Sequence, residues 1–397
     1  MNEFITVSEA RTLISNEIRI KCPIREKNLS DSLHSYIAKP IYAPIDVPNF
    51  TNSAMDGYAF CYQDWVDKNE ITVKYVIQAG QTELPTLKRG EAARIFTGAM
   101  IPIGADIVVM QEKATVENNK LIVQKGEFQK GDNIRPLGSQ TKKGELVAAE
   151  NTLITPGVIG MLAGFGIEKV HVFSSPKIGI IVTGNELVTG GTPLKKGQIY
   201  ESNSITLQSA LKEMDISVEF IVKVSDDKEK TFREIQTRTA EVDVLLLTGG
   251  ISVGDYDYVK ESLERAEIHQ LFYKIQQKPG KPLYFGKKEQ HYVFALPGNP
   301  ASVLTCFYQY VRPFLKGLKG ENHIFNSYED AQLMNDFNKK NKLTNFLKGH
   351  LENGEVSITS SQESYKMNSF SSANCIVEIS GEERMIRQGE KFTVWRI

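Results

Sequence analysis

Between Lys177 and about residue 320, short apolar runs rich in Val, Ile and Leu alternate with stretches whose apolar positions recur at helical spacing. The runs predict strands over Ile178 to Val182, Val218 to Val224, Val244 to Leu247 and Tyr292 to Ala295. Helices are predicted over Ser204 to Met214, over Lys228 to Ala240 with Asp226 or Asp227 as N-cap, and over Tyr258 to Ala266. Strands alternating with helices in this rhythm specify a doubly wound α/β sheet covered on both faces.

The pattern changes on either side. From about residue 51 to 140 there are short β-like runs, such as Thr72 to Ile77, Ala105 to Met110 and Lys120 to Gln124, broken by Gly, Pro and Asn, which predict a small β domain. Ser8 is the predicted N-cap of an opening helix that includes Leu13, Ile14 and Ile18, and a second short helix is expected near Leu29 to Ile37. Prolines at 40, 44 and 48 make Lys39 to Phe50 extended. Gly157 to Phe165 reads as a further helix, and the weakly polar, Gly-rich stretch Ile154 to Ile167 as buried but too short to span a membrane. Short strands return at Glu355 to Thr359, Ile376 to Glu378 and Phe392 to Trp395.

The expected organisation is therefore multidomain α/β plus β. A discontinuous N-terminal linker domain covers 1–47 and 142–173, an inserted small β domain 48–141, the doubly wound domain 174–325, and a C-terminal β-barrel 326–397.

Composition narrows the function without naming it. The 397 residues carry 47 Lys and Arg against 48 Asp and Glu, so no global field draws the chain to nucleic acid or an anionic membrane, and an anion needs a local site. The four cysteines are scattered without a Cys-x-x-Cys pair, which suits a reducing cytoplasm. The start has no basic segment leading into an apolar one, so no secretory signal is expected. The six histidines show no metal-ligand spacing, and no Ser-His-acid or Cys-His arrangement is visible.

Chemistry concentrates where strands end. In an open parallel sheet those ends lie along one edge and line a single crevice. Thr248-Gly249-Gly250 leads through Ser252 and Gly254 to Asp255 and Asp257 before a helix. Successive glycines let N–H groups turn inward toward an anion, while the two acids call for an intervening Mg2+; alone, Asp257 is also a reasonable helix cap. Thr183-Gly184-Asn185-Glu186 ends another strand, so Glu186 can share that ion with Asp257, or simply sit in a solvated first turn. Lys274, Lys278 and Lys281, the last two in the stiff turn Lys278-Pro279-Gly280-Lys281-Pro282, suit an oxyanion if they are more than solvated charges. Leu296-Pro297-Gly298-Asn299-Pro300, followed by Ser302, is a strand-turn-helix junction of modest specificity. Asn52 to Tyr58, containing Asp56, and Ile95 to Ala99, containing Thr97, are polar loop clusters that spacing cannot separate from ordinary Asx turns.

In order along the chain, Pro48-Asn49-Phe50-Thr51-Asn52-Ser53-Ala54-Met55-Asp56-Gly57-Tyr58-Ala59, Phe96-Thr97-Gly98-Ala99, Gly104-Ala105-Asp106, Thr183-Gly184-Asn185-Glu186-Leu187, Ser202-Asn203, Thr248-Gly249-Gly250 with Gly254-Asp255, Lys278 to Pro282 and Leu296 to Pro300 resemble the molybdopterin molybdenumtransferase (MoeA) family, which includes the gephyrin E domain. The likeness runs nearly end to end. It implies an elongated homodimer, a doubly wound domain similar to molybdopterin adenylyltransferase, and a Mg2+-dependent reaction of adenylylated molybdopterin with molybdate that yields molybdenum cofactor and AMP. By motif, Asp56, Thr97, Glu186, Asp257, Lys274 and Lys278 take the family's functional positions and one of Asp226 and Asp227, Asp226 by preference, takes another, with Asp56 and Thr97 acting across the dimer interface, and molybdopterin adenylyltransferase and recipient molybdoenzymes are possible partners. Thr183, Gly184, Ser202, Asn203, Gly249, Gly250, Ser252, Gly254, Asp255, Pro279, Gly280, Lys281, Pro297, Gly298, Asn299 and Ser302 are implied around the substrate.

Two departures from the pattern stand out. Gln140 occupies a position where many members have an acid, and Gln362 to Met367 lacks the usual glycines around its serine. A dimeric scaffold like the gephyrin E domain and an adenylyltransferase are the competing readings. Retained acids and lysines weigh against the first, and the long flanking domains against the second.

Overall fold

The computed structural model describes residues 3–18, 21–251, 258–325 and 328–397. Two compact units make up the chain, Met1–Ala38 with Asn151–Thr155 and Lys169–Ile397, and Lys39–Glu150 with Pro156–Glu168.

The first unit is organised by a seven-stranded sheet in the spatial order Glu3–Ile5, His269–Ile275, Tyr284–Lys288, His291–Leu296, Val244–Thr248, Ile178–Thr183, Val218–Val224. The last four strands are mutually parallel. From Ile178–Thr183 the chain goes first to its neighbour Val218–Val224, then back across to its other neighbour Val244–Thr248. The intervening helices therefore cover opposite faces. Leu207, Ala210 and Leu211 of helix Asn203–Lys212 pack on Ile180, Val182, Leu246 and Phe294, whereas Ile235 of helix Lys228–Thr239 packs with Ile181, Leu245, Leu247 and Val293 on the other side. That alternation is the two-residue period of a strand read on both faces.

Two sheet strands that pair antiparallel with each other, His269–Ile275 and Tyr284–Lys288, were not predicted; Tyr284–Lys288 alone runs against the four parallel strands. Their Lys, Gln, His and Gly positions hide the apolar half of each strand, and only packing on Phe294 and Phe314 makes them regular. Phe285 is fully buried there, stacked 4.4 Å from Phe294 and edge-on at 5.4 Å to Phe314.

The N-terminal helix spans Val7–Glu17, and its cap is Thr6 rather than Ser8. Thr6 Oγ1 accepts from the Glu9 N–H while Glu9 accepts from the Thr6 N–H, a reciprocal capping box that Ser8 cannot form with any acid three residues on. The helix expected near Leu29 to Ile37 shrinks to one 3-10 turn, Leu29–Asp31. Ser32 Oγ donates to the Leu29 carbonyl and His34 adopts φ 59°, so local side-chain bonding ends the turn early.

The C-terminal region closes into a five-stranded barrel in which Thr344–Glu352, Glu355–Ile358, Tyr328–Leu333, Lys391–Arg396 and Cys375–Ile379 pair in succession and the last rejoins the first. Its interior holds Leu333, Leu351, Val356, Val377 and Val394, while Phe346, Ile376 and Trp395 join the core of the α/β sheet. The short strand Gln277–Lys278 adds to the barrel alongside Thr344 and Asn345.

The second unit contains a six-stranded sheet in the order Ile107–Met110, Gly57–Phe60, Glu91–Ile95, Ile71–Ile77, Lys120–Val123, Ala114–Glu117. Its helix Pro156–Gly164 is not the buried element its composition suggests: only Leu162 within it is buried. Val158, Ile159 and Met161 are only partly covered within this chain.

Phe285→Ala removes the centre of the aromatic cluster and is expected to lower unfolding stability by ~3–5 kcal/mol, measured by urea denaturation.

Candidate active site

The strand order reverses between Ile178–Thr183 and Val244–Thr248, and neither crossover covers the carboxyl ends of those two strands. A crevice is therefore unavoidable at Thr183-Gly184 and Thr248-Gly249. The cleft found there has a volume of about 1470 Å³. Gly249 sits at φ 85°, where a Cβ would come 2.6 Å from the Thr183 carbonyl oxygen, so only glycine lets the two strand ends approach.

Each wall is built by a different loop. Glu186 follows the first strand, and Asp226 follows Val218–Val224; both line the cleft. The two loops are tied reciprocally, the Asn185 N–H donating to Asp226 Oδ2 at 3.0 Å and the Asp226 N–H to Asn185 Oδ1 at 3.0 Å. Asp227 has a different task, since its Oδ1 accepts from the Lys230 N–H and caps the next helix. The choice left open between these two neighbours is thus resolved by geometry: Asp226 faces the cleft and Asp227 the helix.

Opposite lies the turn Lys278 to Pro282, all five residues lining the cleft. Gln277 is fully buried and donates from Nε2 to the Gly280 carbonyl at 3.0 Å, while the Tyr310 hydroxyl donates to its Oε1. A Cβ on Gly280, at φ 83°, would collide with Cys306 Sγ. The turn is consequently rigid, and Lys278 is presented by it as an exposed residue beside the barrel strand. Among the described residues Lys278 has no carboxylate within ion-pair distance.

Thr183, Gly184, Ser202, Asn203, Gly249, Gly250, Pro297, Gly298, Asn299 and Ser302 also line this cleft, as the motifs implied. Asn203 Nδ2 donates to the Gly298 carbonyl at 2.9 Å, joining two of those turns. Lys274 does not line it. It lies inside strand His269–Ile275, before the chain turns toward the cleft, and its ammonium sits 4.7 Å from the centre of the Tyr273 ring. Ser252, Gly254, Asp255 and Asp257 lie outside the described residues.

Asp56 and Thr97 belong to the other unit, where the Thr97 N–H and Oγ1–H both donate to Asp56 Oδ1, at 2.7 and 2.8 Å. Those bonds, the backbone one foremost, hold the Asp56 carboxyl below its ordinary range.

Sequence reasoning missed the barrel's share of the cleft. Lys340, Asn341, Gln362, Ser364 and Tyr365 line it. Ser364 Oγ accepts from Asn299 Nδ2 at 2.9 Å and its carbonyl from the Ala301 N–H at 3.1 Å, so a barrel loop is fastened to the Pro297-Gly298-Asn299-Pro300 turn. No local signal announces this, since a polar loop reads the same whether it faces solvent or a ligand. Beneath it, Lys348 is fully buried and donates from Nζ to the Gln362 carbonyl at 3.1 Å. Burial, opposed by the Glu363 carboxylate, brings its ammonium down to about 8.

No group of three or more His, Cys, Asp and Glu residues forms a metal cluster among the described residues. Glu186 and Asp226 nonetheless offer carboxylate oxygens in one cleft, a hard donor set that fits Mg2+ binding through one or two protein carboxylates and substrate oxygens.

Residues 179–317, which carry the strand ends at the cleft, match the family described as a probable molybdopterin binding domain. Residues 5–166 match the MoeA N-terminal region, domains I and II, and residues 330–397 the MoeA C-terminal region, domain IV. The molybdopterin molybdenumtransferase of Haemophilus influenzae is 32% identical over 98% of both chains, and that of Bacillus subtilis 33% identical over 92% of this chain and 88% of its own. A crystal structure of the molybdopterin biosynthesis MoeA protein of Pyrococcus horikoshii superposes with a TM-score of 0.84 at 28% identity, covering 99% of this chain and 100% of that one. The chain belongs to the molybdopterin molybdenumtransferase (MoeA) family.

The depressed ammonium has a signed consequence. Unfolded, Lys348 keeps the ordinary lysine value of 10.5, so between pH 8 and 10.5 the unfolded chain binds more protons and stability rises with pH. Urea titrations should show the wild type gaining on Lys348→Met as pH climbs through that window, and losing the gain as pH falls through 8; a pH-independent difference would rule this out.

Proposed function

We propose that this protein is the transferase that inserts molybdate into adenylylated molybdopterin and releases AMP, with Mg2+ assisting. The observation that carries this reading is the meeting of acids and a lysine in one cleft: Glu186 and Asp226 on loops after two parallel strands, Lys278 on the rigid turn facing them. Membership in the family supplies the reaction class.

Glu186 and Asp226 would hold Mg2+, which supplies charge neutralisation at the phosphoanhydride. The turns at Gly249-Gly250 and Gly298 bring backbone N–H groups close to the phosphates, and the glycines leave them accessible. The Lys278 ammonium is a compact charge suited to a tetrahedral oxyanion, so it holds molybdate as substrate near the dithiolene. In a homodimer, Asp56, kept ionised by its bonds to Thr97, would act across the interface with the partner chain. Barrel residues Lys340 and Ser364 line the same cleft. The enzyme acts as a homodimer in the cytoplasm and hands its product to molybdoenzymes.

Purified protein mixed with adenylylated molybdopterin, Mg2+ and molybdate should release AMP and take up molybdenum together; nucleotide release without metal uptake would reject the insertion mechanism. Glu186→Gln should lower kcat by roughly 10²-fold or more, as the loss of a charge-stabilising contact does. Lys278→Met should chiefly raise the molybdate concentration needed for half-maximal insertion, by about tenfold, the worth of one charge-assisted contact. Sedimentation equilibrium at micromolar protein should give twice the chain mass of 44.5 kDa.

A further inference from the structure

One arginine far from every motif joins three parts of the first unit. Arg11 lies on the N-terminal helix, about five-sixths buried, with 17% of its side chain accessible. Its guanidinium forks onto Glu378 of the barrel, Nη1 to Oε1 at 3.2 Å and Nη2 to Oε2 at 2.8 Å. Nη2 also donates at 2.8 Å to Oε1 of Gln309, a buried residue of the helical run that follows the Pro297-Gly298-Asn299-Pro300 turn. The guanidinium carbon stands 4.4 Å from the centre of the Trp395 ring, and Trp395 Nε1 donates to Glu378 Oε2 at 2.8 Å. Phe325 and Phe346 complete an aromatic surround at 5.6 and 5.9 Å.

The register connects this cluster to the cleft. Glu378 pairs with Phe346 across the barrel ladder, and the residues on either side of Phe346, Asn345 and Leu347, line the cleft. The same strand bonds Thr344 N–H to the Gln276 carbonyl, at the root of the turn that presents Lys278. A displacement of Glu378 is therefore transmitted along one strand to the wall that faces the acids.

From this geometry we infer that Arg11 is a positioning residue: by clamping Glu378 and Trp395 it sets the barrel's seat on the α/β sheet and thereby the width of the substrate cleft. As a statement about catalysis this rests on the proposed function. Arginine is suited to the task because a planar fork satisfies a carboxylate with two bonds while its face stacks on an indole, which an ammonium cannot do at once. Partial burial keeps the pair from being screened away.

The test compares wild type, Arg11→Met and Arg11→Lys by hydrogen exchange and by insertion kinetics. Exchange in residues 340–345 and 361–365 should quicken by about tenfold in Arg11→Met, and less in Arg11→Lys, with 178–183 and 244–248 unchanged. KM for adenylylated molybdopterin should rise by about tenfold with kcat held within about twofold, since Arg11 shapes the wall that binds substrate and does not touch the reacting atoms. Uniform quickening that includes the sheet strands, or a fall in kcat at constant KM, would overturn the inference. Glu378→Gln should reproduce the Arg11→Met exchange pattern should that variant fold poorly, and an unaltered pattern in a folded Glu378→Gln protein counts against the clamp. Wild-type protein without insertion activity would defeat the proposed function, while the exchange comparison would still decide whether Arg11 seats the barrel.

Discussion

Parallel pairing of Ile178–Thr183 with Val244–Thr248 is the constraint on which the rest of the first unit depends. Every residue of both strands is buried, so neither can slip in register without moving apolar side chains out of both cores. Because the chain leaves this pair in opposite directions, the carboxyl ends open into a crevice that no helix fills. Glu186, Asp226, Gly249 and Gly250 are in that crevice because they come next in the chain.

Facing them is a wall assembled differently. Lys278 reaches the cleft on a turn braced by buried Gln277 and Tyr310 and continued into the barrel by pairing with Thr344 and Asn345. The barrel is thereby part of the site rather than an appendage: Ser364 fastens to the Asn299 turn on one side, and Arg11 holds Glu378 and Trp395 on another. Buried lysines do the same work within the barrel. Lys348 secures the Gln362 carbonyl, and Lys339 donates to the Asn341 and Gly381 carbonyls, so two loops that line the cleft are held from below at the expense of desolvating an ammonium.

Legibility followed the physics of each element. The four parallel strands were readable to within a residue or so, three because buried strands must be continuous apolar runs and Val218–Val224 because covered and exposed positions alternate along it. The antiparallel pair His269–Ile275 and Tyr284–Lys288 was not, since Lys, Gln and Gly dilute their pattern and neighbours supply the regularity. Thr6 was overlooked as a cap in favour of Ser8 although Glu9 three residues later marks the box. Lys274 was grouped with Lys278 by spacing and by motif; Lys278 lines the cleft on its turn, and Lys274 lies within strand His269–Ile275. Apolar composition suggested burial for Pro156–Gly164, but within this chain only Leu162 of the helix finds full cover, because composition does not say which neighbours pack on a helix.

By itself the amino-acid sequence determined the βαβ rhythm, the glycine turns at the strand ends, and the order of motifs that belong to the MoeA family. These are local properties, set by backbone freedom at glycine and by the period of apolar side chains. Tertiary structure alone decided that Asp226 lines the cleft while Asp227 caps a helix, and that Arg11 reaches Glu378 across 367 residues of chain. Such choices depend on which side chains meet when distant segments pack, and short-range pattern carries no record of a partner hundreds of residues away.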